Sequence, residues 1–113
     1  MSTSIGNQAE TAAAEYLTRE GYEVIDRNWR TRVCEIDVVA RKQNVTYFVE
    51  VKYRSHGEQG SGLDYITPKN LQQMQFAARC WVQENKWKNA YEISAIEVSG
   101  LEFKVTEFLP QIL

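Results

Sequence analysis

Apolar residues fall at helical spacing near the start of the chain and again past its middle, with alternating stretches between and after. From residue 5 to residue 20, Ala9, Ala12, Ala13, Tyr16 and Leu17 make one apolar stripe, which predicts a helix, and Gly21 is a natural stop. Tyr22 to Arg30 predicts a strand with Tyr22, Val24 and Asp26 on one side and Ile25 on the other, an imperfect alternation. Residues 33 to 41 and 45 to 53 are rich in Val, Ile, Tyr and Phe, and predict the two strands of a hairpin. Ser55 to Gly62 is a loop by composition. Thr67 suits a helix N-cap and Pro68 the first helical turn. Leu71, Met74, Ala78, Trp81 and Val82 then mark the buried face of a second helix, which fades between Asn85 and Lys88. Tyr91 to Val98 and Phe103 to Leu109 predict two further strands, joined around Ser99 and Gly100. Helix, three strands, helix, two strands is the order of an α/β architecture, a mixed sheet flanked by helices.

The hairpin carries the chemistry. With Gln43 and Asn44 at its tip, Lys42 faces Val45, Ala40 faces Tyr47, and Asp37 falls opposite Glu50. Like charges facing each other across two strands are destabilising unless something positive lies between them, and a divalent cation is the simplest candidate. Alternation puts Lys52 on the same face as Glu50 and opposite Glu35. An exposed hairpin surface with a Glu35–Lys52 pair is the structural alternative. The flanking residues weigh against it, because both strands are apolar on both faces, as in a sheet covered on each side. Acids and a lysine in such surroundings are costly unless paired or functional.

Hydrolysis of a phosphodiester calls for a divalent ion to polarise the phosphate and generate hydroxide, and for a positive group to steady charge or position water. Mg²⁺ takes a few carboxylate oxygens and keeps several waters, so two acids suffice. Asp37 and Glu50 are the expected ligands, the Val51 carbonyl a third oxygen, and Lys52 the group that orients or deprotonates water. Glu10 shares the stripe of Ala13, Ala14 and Leu17; it is either a helix acid near the positive dipole end or a further ligand beside the metal. Lys69, at the start of the second helix, is either solvated or part of a phosphate contact. His56 is expected at the surface of the Gly-rich loop, and Cys34 and Cys80 are expected to be packing residues. Trp29, Trp81 and Trp87 read most simply as core or partly buried aromatics; Trp29, beside Arg30 and Arg32, is the one to weigh for stacking on a base.

Composition bounds the rest. The chain has 113 residues, 43% apolar and 25% charged, which suits one domain with a single core. The net charge of −2 argues mildly against nucleic acid, but residues 27–54 sum to +4 and the remainder to −6. A positive region around an acidic site is compatible with a polyanionic substrate, with Arg30, Arg54 and Lys69 as its contacts. Two cysteines far apart in sequence suggest reduced thiols; with neither an export signal nor a membrane-length apolar run, the expected location is the cytoplasm.

Taken together, Gly6-x-x-Ala9-Glu10-x-x-Ala13, Gly21-Tyr22, Arg27-Asn28, Glu35-Ile36-Asp37, Phe48-Val49-Glu50-Val51-Lys52-Tyr53-Arg54 and Pro68-Lys69 resemble the YraN-like bacterial proteins over nearly the full length. That family resembles the archaeal Holliday-junction resolvases and is grouped with the restriction-endonuclease-like PD-(D/E)XK nucleases. The resemblance implies an αβββαβ core and a Mg²⁺-dependent endonuclease, with Mn²⁺ as a substitute, acting on DNA ahead of RNA and on branched or structured sites. It carries over Asp37 and Glu50 as metal ligands, Lys52 as the catalytic lysine and Glu10 as the helix acid. Cleavage of a junction calls for two sites related by a two-fold axis, hence a homodimer. The alternative is a catalytically silent module on the same fold that binds nucleic acid or protein. The chain departs from the family pattern at Cys34, where glycine is usual, and at Ala90-Tyr91-Glu92, where Arg-Phe-Asp is usual.

Overall fold

The computed structural model describes residues 4–55 and 66–113. Helix α1 (Ile5–Arg19) is followed by strands β1 (Glu23–Arg30), β2 (Glu35–Lys42) and β3 (Val45–Arg54), then α2 (Pro68–Asn85), β4 (Tyr91–Ser99) and β5 (Lys104–Leu109). The five strands form one mixed sheet in the order β1-β2-β3-β4-β5. Neighbours are antiparallel except β3 and β4, which are parallel and joined across the sheet by the connection that contains α2. This is the order of helix, three strands, helix and two strands expected from the hydrophobic pattern, and it contains the αβββαβ core that the family resemblance implies.

Local chemistry explains the element ends. Ser4 caps α1 by accepting from the Asn7 N–H at 3.1 Å, and Gly21 takes the left-handed turn (φ 93°) that ends it. At the start of α2, Thr67 Oγ1 accepts from the Asn70 N–H and the Asn70 side chain accepts from the Thr67 N–H, a reciprocal cap. Gln43 and Asn44 both have positive φ, 52° and 67°, the tight hairpin turn that twists with its strands.

Two hydrophobic layers cover the sheet. On one face Ala9, Ala13 and Leu17 of α1 pack on Val38, Ala40, Val49, Ile96 and Val98. On the other, Ala77, Ala78 and Trp81 of α2 pack on Val39, Phe48, Ile93 and Ile36, with the Phe48 and Trp81 rings edge to face at 5.4 Å. Alternation along β3 is regular, so its odd-numbered apolar residues face α1 and Phe48 faces α2.

Strict alternation fails twice in β1 and β2. A bulge between Val24 and Asp26 brings Asp26 opposite Val39, on the α2 side, rather than on the side of Val24 as expected. Val38 faces α1 whereas Ile36 faces α2, although only one residue separates them. The residue between them is Asp37, and Asn28 lies across from it between the pairs Arg27–Val38 and Trp29–Ile36. Asn28 has φ 54°, a conformation that asparagine adopts more readily than other non-glycine residues. Both strands therefore rotate at the position of the first candidate acid. His56 and nearly all of the Gly-rich stretch lie outside the described residues.

Candidate active site

The expected hairpin register holds from Lys42–Val45 through Ala40–Tyr47 to Val38–Val49, and there the β2–β3 pairing ends. One step further, Asp37 and Glu50 meet as expected. The Asp37 carboxylate takes over where the ladder stops: its Oδ2 accepts from the Val51 N–H at 2.8 Å. It thus supplies the acceptor that a backbone carbonyl would have supplied in a continued strand pair. Val51, the residue expected to offer its carbonyl, holds the acid in place through its N–H.

Electrostatics at this point are strained by design of the fold. Burial and the facing Glu50 push Asp37 up to about 8, against the Val51 hydrogen bond that lowers it; Glu10 and Glu35 add repulsion. Glu50 is also raised, by burial first and then by Glu35 and Glu10, while its hydrogen bond with Asp37 and the positive charge of Lys52 pull it down.

Glu10 reaches this region from α1, and its Oε1 is buried with no hydrogen-bond partner among the described residues. A buried, unpartnered carboxylate oxygen on α1, together with two acids raised by burial on the sheet, is a set of hard oxygen donors short of positive charge. It fits Mg²⁺ in donor chemistry. Among the described residues no three acidic, histidine or cysteine side chains converge to hold a metal, so the fit rests on two carboxylates completed by backbone oxygen and water. Glu10 acts on the pair at longer range.

The acid pair opens into a cleft of about 560 Å³ between the start of β2 and the first turns of α2. Asp37, Glu50 and Glu35 form one wall, and Lys69, expected as a substrate contact, stands on the other. Lys52, Arg54 and Arg30 are not among the described residues that line this cleft. Arg54 is paired with Glu97 at 3.5 Å, with side chains 12% and 8% exposed, and Glu97 also accepts from the Thr106 hydroxyl. Arg30 forms an exposed pair with Glu35 at 3.5 Å, worth under about 1 kcal/mol. Glu35 was expected to face Lys52; the pairing seen for it is with Arg30. Trp29 packs against the α2-side core, and Trp87 lies under the Arg41 guanidinium at 4.1 Å.

Three features were not foreseen. Phe76 is 42% exposed and lines the cleft together with Gln72 and Gln73. The signal was present: Lys69, Gln73 and Phe76 lie on one helical stripe, off the buried one, and an aromatic residue there has no core to fill. Buried Glu97, partner to Arg54, was also passed over. The thiols of Cys34 and Cys80, expected only to pack, lie within hydrogen-bond reach of one another; burial and that neighbour raise Cys80 above its ordinary value. Cys34 also sits 3.3 Å from Thr31 Oγ1.

No helix among the described residues is long and apolar enough to cross a membrane. Residues 9–100 match the pattern of Uncharacterised protein family UPF0102. A UPF0102 protein of Vibrio campbellii is 38% identical over 89 residues, 79% of this chain and 72% of the relative. One from Flavobacterium johnsoniae is 33% identical over 107 residues, covering 89% and 87%. One from Shewanella denitrificans is 35% identical over 97 residues, covering 86% and 90%. With the family match spanning most of the chain and such relatives in distant bacteria, the protein belongs to the UPF0102 family.

Proposed function

We propose that this protein is a Mg²⁺-dependent endonuclease that hydrolyses phosphodiester bonds in DNA. The observation that carries the reading is the Asp37–Glu50 pair, two half-buried carboxylates both raised first of all by burial, at the point where β2 and β3 separate, with the Lys52 charge acting on Glu50. Asp37, Glu50 and a backbone oxygen near Val51 would hold Mg²⁺, which when bound supplies a Lewis acid for the phosphate and lowers the pKa of water. The protein's own groups do the rest. The Val51 N–H holds the Asp37 carboxylate in place through one of its oxygens. Lys52, two residues from Glu50 on the same strand face, steadies negative charge on the scissile phosphate or orients water. Lys69, on the opposite wall, contributes a positive charge where the DNA backbone would enter.

The resemblance to Holliday-junction resolvases supports branched or structured DNA as the substrate, and with it a two-fold dimer. Two cysteines far apart in sequence read as reduced thiols rather than a disulfide framework, so we place the activity in the cytoplasm. The test is cleavage of branched, single-stranded and duplex DNA in Mg²⁺ and Mn²⁺ by the parent and by folded Glu50→Ala and Lys52→Ala proteins. Loss of cleavage in both variants is expected. Equal cleavage by variants and parent overturns the proposal. DNA bound but never cut by the parent favours a silent binding module on this fold.

A further inference from the structure

We infer that the cleft between β2 and α2 takes a single unpaired nucleotide, with its base stacked on Phe76 and its phosphate directed toward Asp37 and Glu50; only that last placement rests on the nuclease reading. Two apolar side chains stand at this cleft without a core to fill: Phe76, 42% exposed, on α2, and Val33, 73% exposed, just before β2. An exposed aromatic face beside a hydrolytic pair is a platform for a base, since every base has a π-face to offer. The α2 wall is otherwise uncharged apart from Lys69. Gln72 and Gln73 line it with carboxamides, which both donate and accept and so match the edges of bases rather than phosphates, while the Asn70 side-chain oxygen beside them is taken by the helix cap.

Charge is thus segregated across the cleft: acids on the sheet wall, amides and an aromatic ring on the helix wall, with Lys69 at the helix start. A volume of about 560 Å³ is of the size that encloses one small ligand. A stacked duplex cannot place a base in such a space unless that base leaves the stack, which costs least where it is already unpaired. The substrate class that follows is DNA with an unpaired or unstacked nucleotide next to the scissile bond, as at a branch point or in a single strand.

The test separates base recognition from cleavage. Fluorescein-labelled single strands of equal length, one with normal bases and one with a run of abasic sites, are titrated with the full chain in EDTA and again in Ca²⁺, and binding is read by anisotropy. The base-bearing strand is expected to bind about tenfold more tightly than the abasic strand. Phe76→Ala, checked as folded by its melting temperature, should bring that ratio to within twofold. Phe76→Trp should preserve the ratio, and should show more fluorescence quenching on the base-bearing strand than the parent does. Equal binding of the two strands by the parent overturns the inference. So does an unchanged ratio in Phe76→Ala, tighter binding of continuous duplex than of single strand, or no measurable binding in either buffer. Base preference without cleavage in Mg²⁺ or Mn²⁺ leaves this inference standing while the nuclease proposal fails. Cleavage without base preference does the reverse.

Discussion

The two ends of the β2–β3 hairpin are built from similar residues and behave in opposite ways. At the tip, every charge is matched locally: Lys42 Nζ donates to the Glu20 carbonyl at 2.8 Å and lies over the Tyr22 ring, and the Arg41 guanidinium rests on Trp87. The ladder there is complete, and the turn residues adopt the positive φ angles it demands. At the open end the ladder stops, a carboxylate replaces a backbone acceptor, and two acids face each other, while Oε1 of a third, Glu10, is buried with no hydrogen-bond partner among the described residues. Charges at the tip serve the fold. Those at the open end work against it, and a protein tolerates such a cost where the groups have another use.

Substitutions should sort by this contrast. The largest effect is expected from Glu50→Gln, which keeps the shape of the side chain and removes its charge: Mg²⁺-dependent cleavage should fall by about 100-fold or more while the melting temperature holds or rises. A lower melting temperature together with intact cleavage would show that the open end is structural after all. In the layer between the two ends, Phe48→Ala removes a ring packed against Trp81, and is expected to cost about 3–5 kcal/mol in a urea titration.

The pH dependence of the metal-free protein comes next. Asp37 is raised from 3.8 to about 8 on folding, so between those values the folded chain holds a proton that the unfolded chain has released. Its contribution to stability is full below pH 4 and is lost as the pH rises through about 8. Asp37→Asn, whose carbonyl can still accept from Val51, should therefore stabilise the metal-free protein at pH 8.5 by about 1–3 kcal/mol and have little effect at pH 4. Equal effects at both pH values would mean that the acid is not strained. At the tip, Arg41→Ala should cost about 0.5–1 kcal/mol through loss of the Trp87 contact and leave cleavage unaltered, the smallest change of the set.

Much of the site was legible because a hairpin converts spacing into position. Once Gln43 and Asn44 mark the turn, a period of two places Asp37 opposite Glu50 with no further information. The rotation of β1 and β2 around Asn28 and Asp37 was not legible, since alternation assumes a regular strand and a bulge can be paid for only by neighbours elsewhere in the fold. Arg54 illustrates the same limit. Its sequence context is a basic stretch, but its actual partner, Glu97, arrives through a parallel pairing formed across α2. Phe76 was similarly hidden, because a helical pattern tells which residues leave the core, and not what they face once outside it.

What the sequence determined by itself is whatever depends on neighbours along the chain: the seven elements, the Thr67 cap and the Gly21 stop, the hairpin register and the confrontation of two acids within it. What only the tertiary structure decided is whatever depends on surfaces brought together from afar. That includes the depth at which the acids are buried, the contact between Cys34 and Cys80, the withdrawal of Arg54 into a pair with Glu97, and the cleft that sets Phe76 and Lys69 across from the acids. The physical reason is that local propensity and hydrogen-bond period act over a few residues, whereas desolvation and charge coupling depend on every atom within several ångströms, whichever part of the chain it comes from.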